Sequence, residues 1–157
     1  MLNKPLTLRA GLSSDVPGLI SLLRRSWLVT WAPELPFEAV QVFAAHDPAR
    51  AHAETMWQSF TIAEKSSELI GMIHVDKDVL EDLHVDPRVW GEGIGSRLLE
   101  EAERQIGRVH PVARLEVRAF NQRAINFYSR RGWTEAGRYP GTECGAPVEN
   151  VAMTKIL

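Results

Sequence analysis

Leu6, Leu8 and Ala10 alternate with polar neighbours, and Ser13, Ser14 and Asp15 then precede Pro17; the pattern predicts a strand followed by a capped helix. Val16, Leu19, Ile20, Leu23 and Trp27 recur at helical spacing, so this helix should run to about Trp27 with the stripe facing the core. A proline-containing break from Trp31 to Pro36 separates it from a shorter helix over Phe37 to Ala45. Asp47 to Gln58 has no clear period, although its Ala-rich composition favours helix. From Phe60 the pattern changes to short apolar runs, Phe60 to Ala63, Leu69 to Val75 and Val79 to Val85, parted by two tight polar turns. Three antiparallel strands are expected there. Ile94, Leu98, Ala102 and Ile106 then mark a helix opening near Gly93 and stopping at Gly107. Leu115, Val117 and Ala119 alternate as a strand, Asn121 opens a helix ending at Gly132, and Val148 to Ile156 form a last strand after a Gly/Pro-rich connection.

This order predicts an α+β domain over residues 1–157, without repeat or linker, having about six to seven mostly antiparallel strands in a mixed, twisted sheet flanked by about four helices. Composition adds only exclusions. With 45% hydrophobic and 24% charged residues and a formal net charge of -2, the chain lacks the broad positive field that holds nucleic acid or an anionic membrane. An anionic ligand must therefore be held locally. No apolar stretch approaches the roughly 20 residues of a bilayer span, and the N-terminus has no signal-like segment, so a cytoplasmic protein is expected. The single cysteine, Cys144, excludes an internal disulfide. His46, His52 and His110 show no metal-ligand spacing, and no metal is expected.

The chemistry concentrates after Val85. The run Trp90-Gly91-Glu92-Gly93-Ile94-Gly95-Ser96 places three glycines between a strand end and a helix start. Glycine allows unusual dihedrals and close ligand approach, and a first helical turn presents unpaired N–H groups, so the segment can cradle an anion. A Gly-x-Gly-x-Gly run is also what a strand-to-helix turn uses merely to fit. No Gly-Lys-Ser/Thr follows, and the spacing is not that of the dinucleotide fingerprint.

The loop resembles the first signature of the GNAT superfamily of N-acetyltransferases, Gln/Arg-x-x-Gly-x-Gly/Ala, in the register Trp90 to Gly95. Asn121 to Trp133, with Asn121, Ala124, Phe127, Tyr128 and Gly132 in place, resembles the second, Asn-x-x-Ala-x-x-Phe-Tyr-x-x-x-Gly-Phe. The element order fits the GNAT fold from Leu6 to Leu157. Trp90 departs from the usual Gln or Arg, and Trp133 from Phe. The resemblance implies an acetyl-CoA-dependent acyltransferase that passes the acetyl group to a primary amine by direct attack in a ternary complex, with acetyl-CoA as cosubstrate. It implies cofactor contacts from Leu83, His84 and Val85, from Trp90, Gly91, Glu92, Gly93, Ile94, Gly95 and Ser96, and from Asn121 and Asn126. Arg88 is a candidate for the side-chain polarity that Trp90 lacks. A small-molecule or peptide amine acceptor is implied as partner, and a homodimer is compatible with the likeness.

Tyr128 stands where that family has its thiol-protonating tyrosine. Full proton transfer from a phenol near pKa 10 to a thiol near 8.5 is uphill by roughly 2 kcal/mol. The base position falls on Glu81, expected to share a strand face with Val79, Leu83 and Val85 while Asp82 points the other way with Leu80 and His84. Asp82 and His84 are its rivals. A carboxylate near pKa 4.3 facing an ammonium near 10.4 is about 8 kcal/mol short, so either burial raises Glu81 or the amine arrives with a lowered pKa. Trp27, Trp31 and Trp57 are candidates for an acceptor pocket. Two other readings of the same motifs stay open: a coenzyme-sensing module without chemistry, and transfer of a different acyl group.

Overall fold

The computed structural model describes residues 4–157; the first three residues of the expected domain and of the N-terminal segment lie outside them. The order is β1 (Thr7–Ala10), α1 (Val16–Thr30), α2 (Phe37–His46), α3 (Pro48–Met56), β2 (Phe60–Lys65), β3 (Glu68–Asp76), β4 (Val79–Val85), α4 (Ile94–Gly107), β5 (Val112–Arg118), α5 (Gln122–Ser129), β6 (Thr134–Glu143) and β7 (Ala146–Ile156). The seven strands make one mixed sheet in the order β1-β2-β3-β4-β5-β7-β6. Only β4 and β5 run parallel; the other neighbours are antiparallel.

Each face of the sheet has its own apolar layer. On one, Leu98, Leu99, Ala102 and Ile106 of α4 and Ile125 and Tyr128 of α5 pack with Ile73, Leu80, Leu115 and Met153, and Trp133 plugs the end. On the other, Leu19, Leu22, Leu23 and Trp27 of α1 pack with Phe43, Ala53, Phe60, Ile62 and Met72. The α4 stripe is spaced by four residues and so lies along one side of the helix, which fixes how the helix sits on the sheet.

Three expectations change. The segment from Asp47 to Gln58 is a separate helix, α3, followed by a short 3-10 turn, so there are five α-helices among the described residues. Asp47 makes the break: its φ of 46° turns the chain, and its carboxylate accepts from the Arg50 N–H. Helix α1 continues to Thr30, one turn past Trp27. The Gly/Pro-rich tail is mostly strand, because β6 is the last strand of the sheet, where the missing N–H of Pro140 leaves no ladder bond unmade. A two-residue turn, Cys144 at φ 48° and Gly145 at φ 82°, closes β6 on β7, the both-positive geometry of a tight hairpin.

Two irregularities prepare a site. Strands β4 and β5 pair only at Val79 with Arg114 and Leu80 with Leu115, then separate. The β3–β4 register also slips by one residue: His74 pairs with Asp82 but Val75 with Leu80, leaving Glu81 as the extra residue of a β-bulge.

Candidate active site

The cleft opens where β4 leaves β5. It has a volume of about 820 Å³ and is bounded by Glu81 to His84 of β4, Leu115 to Arg118 of β5, Tyr128 of α5, Trp27 and Trp31 at the end of α1, and His52 of α3. Backbone pairing decides what faces it. The Asp86 N–H donates to the Ile70 carbonyl of β3 at 2.8 Å, and in an antiparallel ladder the direction alternates. The backbone groups of Asp82 and His84 therefore also turn to β3, while those of Leu83 and Val85 turn into the gap. Of the three expected strand contacts, His84 has its main chain engaged and its ring bonded to Ser26 Oγ at 2.8 Å.

The glycine loop leaves its amides open. Asp86 and Pro87 start a short 3-10 turn, Gly91 and Gly93 take φ of 85° and 82°, and α4 begins at Ile94. From Gly91 to Ser96 no main-chain N–H has a hydrogen-bond partner among the described residues. A Cβ on Gly95 would meet the Phe127 ring at 3.4 Å and Val85 Cγ2 at 3.8 Å, so this glycine is where the helix start closes on β4 and α5. Glu92 is exposed, with Lys65 Nζ 3.5 Å away. Ser96 Oγ accepts from Arg131 at 2.6 Å.

Trp90 replaces side-chain polarity with packing. Its Nε1 donates to the Val85 carbonyl at 3.0 Å, and the Arg123 guanidinium lies 3.4 Å above the ring. Arg88, expected to supply polarity here, is bound to Asp86 and Glu68 instead. Two cations against the loop, Arg123 of α5 above the Trp90 ring and Arg131 of the turn after α5 on Ser96, are in no salt bridge among the described residues; both were missed in the sequence because an isolated arginine has no motif.

Glu81 does not lie where strict alternation predicts. Because the bulge absorbs one residue, Leu80 turns into the same core as Leu83 and Val85, not to the face of Asp82 and His84. Glu81 itself is exposed, and its charge reaches His52. Asp82 is the most committed group in the cleft. Its Oδ2 accepts from His52 Nε2 at 2.8 Å and from His74 Nδ1 at 3.2 Å, and His84 Nε2 stands 3.7 Å from Oδ1. These three histidines converge from α3, β3 and β4. Burial opposes the Asp82 charge, but the hydrogen bonds from His52, His74 and His84 outweigh it and hold the carboxyl well below the usual carboxylate range. The His52 Nε2, His74 Nδ1 and Asp82 Oδ2 atoms fall within 4.8 Å of one another, the two imidazoles joined to the one carboxylate oxygen by hydrogen bonds.

Tyr128 is 8% exposed, edge-on to Phe127 and Trp133, and its hydroxyl has no hydrogen-bond partner among the described residues. Burial, with the Asp82 charge adding, pushes its phenol well above the ordinary value. Proton transfer to sulfur is then steeper than the sequence suggested. Asn121 caps α5, its Oδ1 accepting from the Ala124 N–H at 3.2 Å, and borders the cleft. Asn126 sits one turn on, exposed and bonded to Gln122 at 2.8 Å, outside the cleft. Trp27 and Trp31 border the cleft but Trp57 does not; it packs beneath, against the α1 layer.

The sheet opens between its two parallel strands, and a glycine-rich turn leads from the end of β4 into the start of α4. The profile of the Acetyltransferase (GNAT) family matches residues 16–133, and the chain belongs to that family. Its fold is similar to that of a GCN5-related N-acetyltransferase (aminotransferase, class-II) from Rhodopseudomonas palustris, with a TM-score of 0.83 and 22% identity over 100% of this chain and 99% of the other. It is similar to PaiA N-acetyltransferase from Thermoplasma acidophilum in complex with coenzyme A (TM-score 0.79, 22% identity, 98% and 99% covered). It is also similar to the ribosomal-protein-S18-alanine N-acetyltransferase from Escherichia coli (TM-score 0.69, 20% identity, 97% and 94% covered). No helix among the described residues is long and apolar enough to cross a membrane.

Proposed function

We propose that the protein transfers the acetyl group of acetyl-CoA to a primary amine, by direct attack while both substrates occupy the cleft. The observation that carries this reading is the row of unpartnered amides from Gly91 to Ser96 at the start of α4, because backbone N–H groups at a helix N-terminus suit a diphosphate. Arg123 and Arg131 beside the loop supply charge that an overall net charge of -2 does not. The pantetheine arm then runs along the open side of β4, where the Leu83 and Val85 backbones face the gap, and an N–H there polarises the thioester carbonyl.

Tyr128 is the donor to the departing sulfur. Held neutral by burial, it keeps its proton across the working range and offers a hydrogen bond as negative charge develops on sulfur. Two cleft carboxylates have different roles. Asp82 is occupied by its histidines and cannot take a proton at neutral pH, whereas Glu81 stands exposed on the bulge, where its charge meets an arriving ammonium ion. A small amine or a peptide N-terminus is the acceptor, entering between Trp27 and Trp31 on one side and Tyr139 on the other.

The test is an acceptor screen that follows free thiol. Acetyl-CoA turnover with at least one primary amine supports the reading; tight coenzyme binding without thiol release across the panel refutes it.

A further inference from the structure

We infer that His52, held by Asp82, is the base that takes the proton from the acceptor amine. This rests on the acetyl-transfer reading above. His52 projects from α3 into the cleft that also holds Glu81 and Tyr128. Its Nε2 is spent on Asp82 at 2.8 Å. Because an ionised carboxylate only accepts, that nitrogen carries the ring proton, and Nδ1 is left with a lone pair. Nδ1 has no hydrogen-bond partner among the described residues. A carboxylate fixing one imidazole nitrogen so that the other is basic is the arrangement that activates nucleophiles in hydrolytic triads.

The surroundings favour this role. Facing His52 are Asp82 and Glu81 from β4 and His74 from β3, with His84 across the carboxylate and the Asp82 charge reaching as far as Tyr128. On its own helix Arg50 and Glu54 are paired with each other. The Asp82 hydrogen bond raises the His52 pKa, burial partly opposes it, and the charges of Asp82 and Glu81 add to the rise. This narrows the gap to an ammonium, for which a lone carboxylate is about six pKa units short. Ser26 and His74 are positioning residues: Ser26 holds His84, and His74 shares the Asp82 oxygen.

The proton balance is complete. The acceptor ammonium gives one proton to His52 Nδ1, and the freed lone pair forms the C–N bond to the acetyl carbon. The C–S bond breaks with its electron pair on sulfur, which takes the Tyr128 hydroxyl proton as the second nitrogen proton replaces it on the phenol oxygen. His52 then returns its proton to water, leaving an amide and free coenzyme thiol.

Three variants, His52→Gln, Asp82→Asn and Glu81→Gln, are compared with wild type for kcat/KM between pH 6 and 10 and for coenzyme A affinity. For His52→Gln the expected result is a loss of about 100-fold or more, with coenzyme affinity within twofold and the rising limb of the profile abolished. Asp82→Asn moves that limb to lower pH, and Glu81→Gln moves it the same way with a loss under about tenfold. A His52→Gln enzyme within threefold of wild type, with the same limb, overturns the assignment while leaving acetyl transfer standing. Wild-type protein that binds coenzyme A yet releases no thiol with any amine overturns acetyl transfer, and the base with it. Imidazole nitrogen NMR on the unmodified protein gives a readout without turnover: a neutral His52 ring protonated at Nε2 supports the assignment, and one protonated at Nδ1 refutes it.

Discussion

Trp90 Nε1 donates to the Val85 carbonyl at 3.0 Å, tying the first residue of the glycine loop to the last residue of β4. The bond lets an aromatic residue stand where the family signature has Gln or Arg, since it anchors the loop by packing and one donor. Trp90→Ala removes that bond and the Arg123 contact above the ring, each worth on the order of 1 kcal/mol. Coenzyme A affinity should fall about threefold to tenfold by calorimetry, with the fold intact by circular dichroism; unchanged affinity would show that the loop holds its shape without Trp90.

Gly93 takes φ 82° with nothing within 4 Å of where a Cβ would stand. The cost of Gly93→Ala is therefore backbone strain and not collision, about 1 kcal/mol of stability. If the open amides receive a diphosphate, coenzyme binding should weaken by about tenfold, equivalent to 1.4 kcal/mol. Thermal melts with and without coenzyme A measure both. A variant that melts lower but gains the wild-type increment from ligand would argue against the loop.

Tyr128→Phe removes a hydroxyl that no group among the described residues bonds, so stability should change by less than about 1 kcal/mol. Turnover should drop about 100-fold or more with coenzyme affinity within twofold. Stopped-flow thiol release and equilibrium titration separate these effects, and full turnover in the phenylalanine variant would leave the tyrosine a packing role alone.

Asp86 is 1% exposed and bonds Arg25 at 2.7 Å and Arg88 at 2.7 Å below the loop. The Arg88 bonds, aided by the Arg25 charge, hold its carboxyl below the usual range against the cost of burial. A depressed folded-state pKa contributes stability that is present above the unfolded value, near 3.9, and is lost as pH falls through the folded one. Asp86→Asn should therefore cost about 2 to 3 kcal/mol at pH 7, and the gap to wild type should narrow below about pH 4. Urea melts at both pH values check the sign; a gap that stays constant would mean that Asp86 acts through shape and not charge.

Much of this site was legible because its signals are local. The glycines at positions 91, 93 and 95, the Asn121 cap and the four-residue stripe of α4 each specify geometry within a few residues, as did the alternation of β2 to β4. The failures have a common cause. Glu81 was placed by strict alternation, which a one-residue slip against β3 overrides, and Pro140 signalled a loop because nothing in its neighbourhood tells that β6 is an edge. The Asp82 cluster had no sequence signal at all.

The order of residues by itself determined most of the helices and strands and the glycine turn before α4, since periodicity, capping and glycine dihedrals are satisfied between near neighbours. Only the folded chain decided that His52, His74 and His84 gather around Asp82, with Ser26 holding His84. Those residues come from four separate elements, and their hydrogen bonds form only once helices and sheet have packed and water has left the carboxylate.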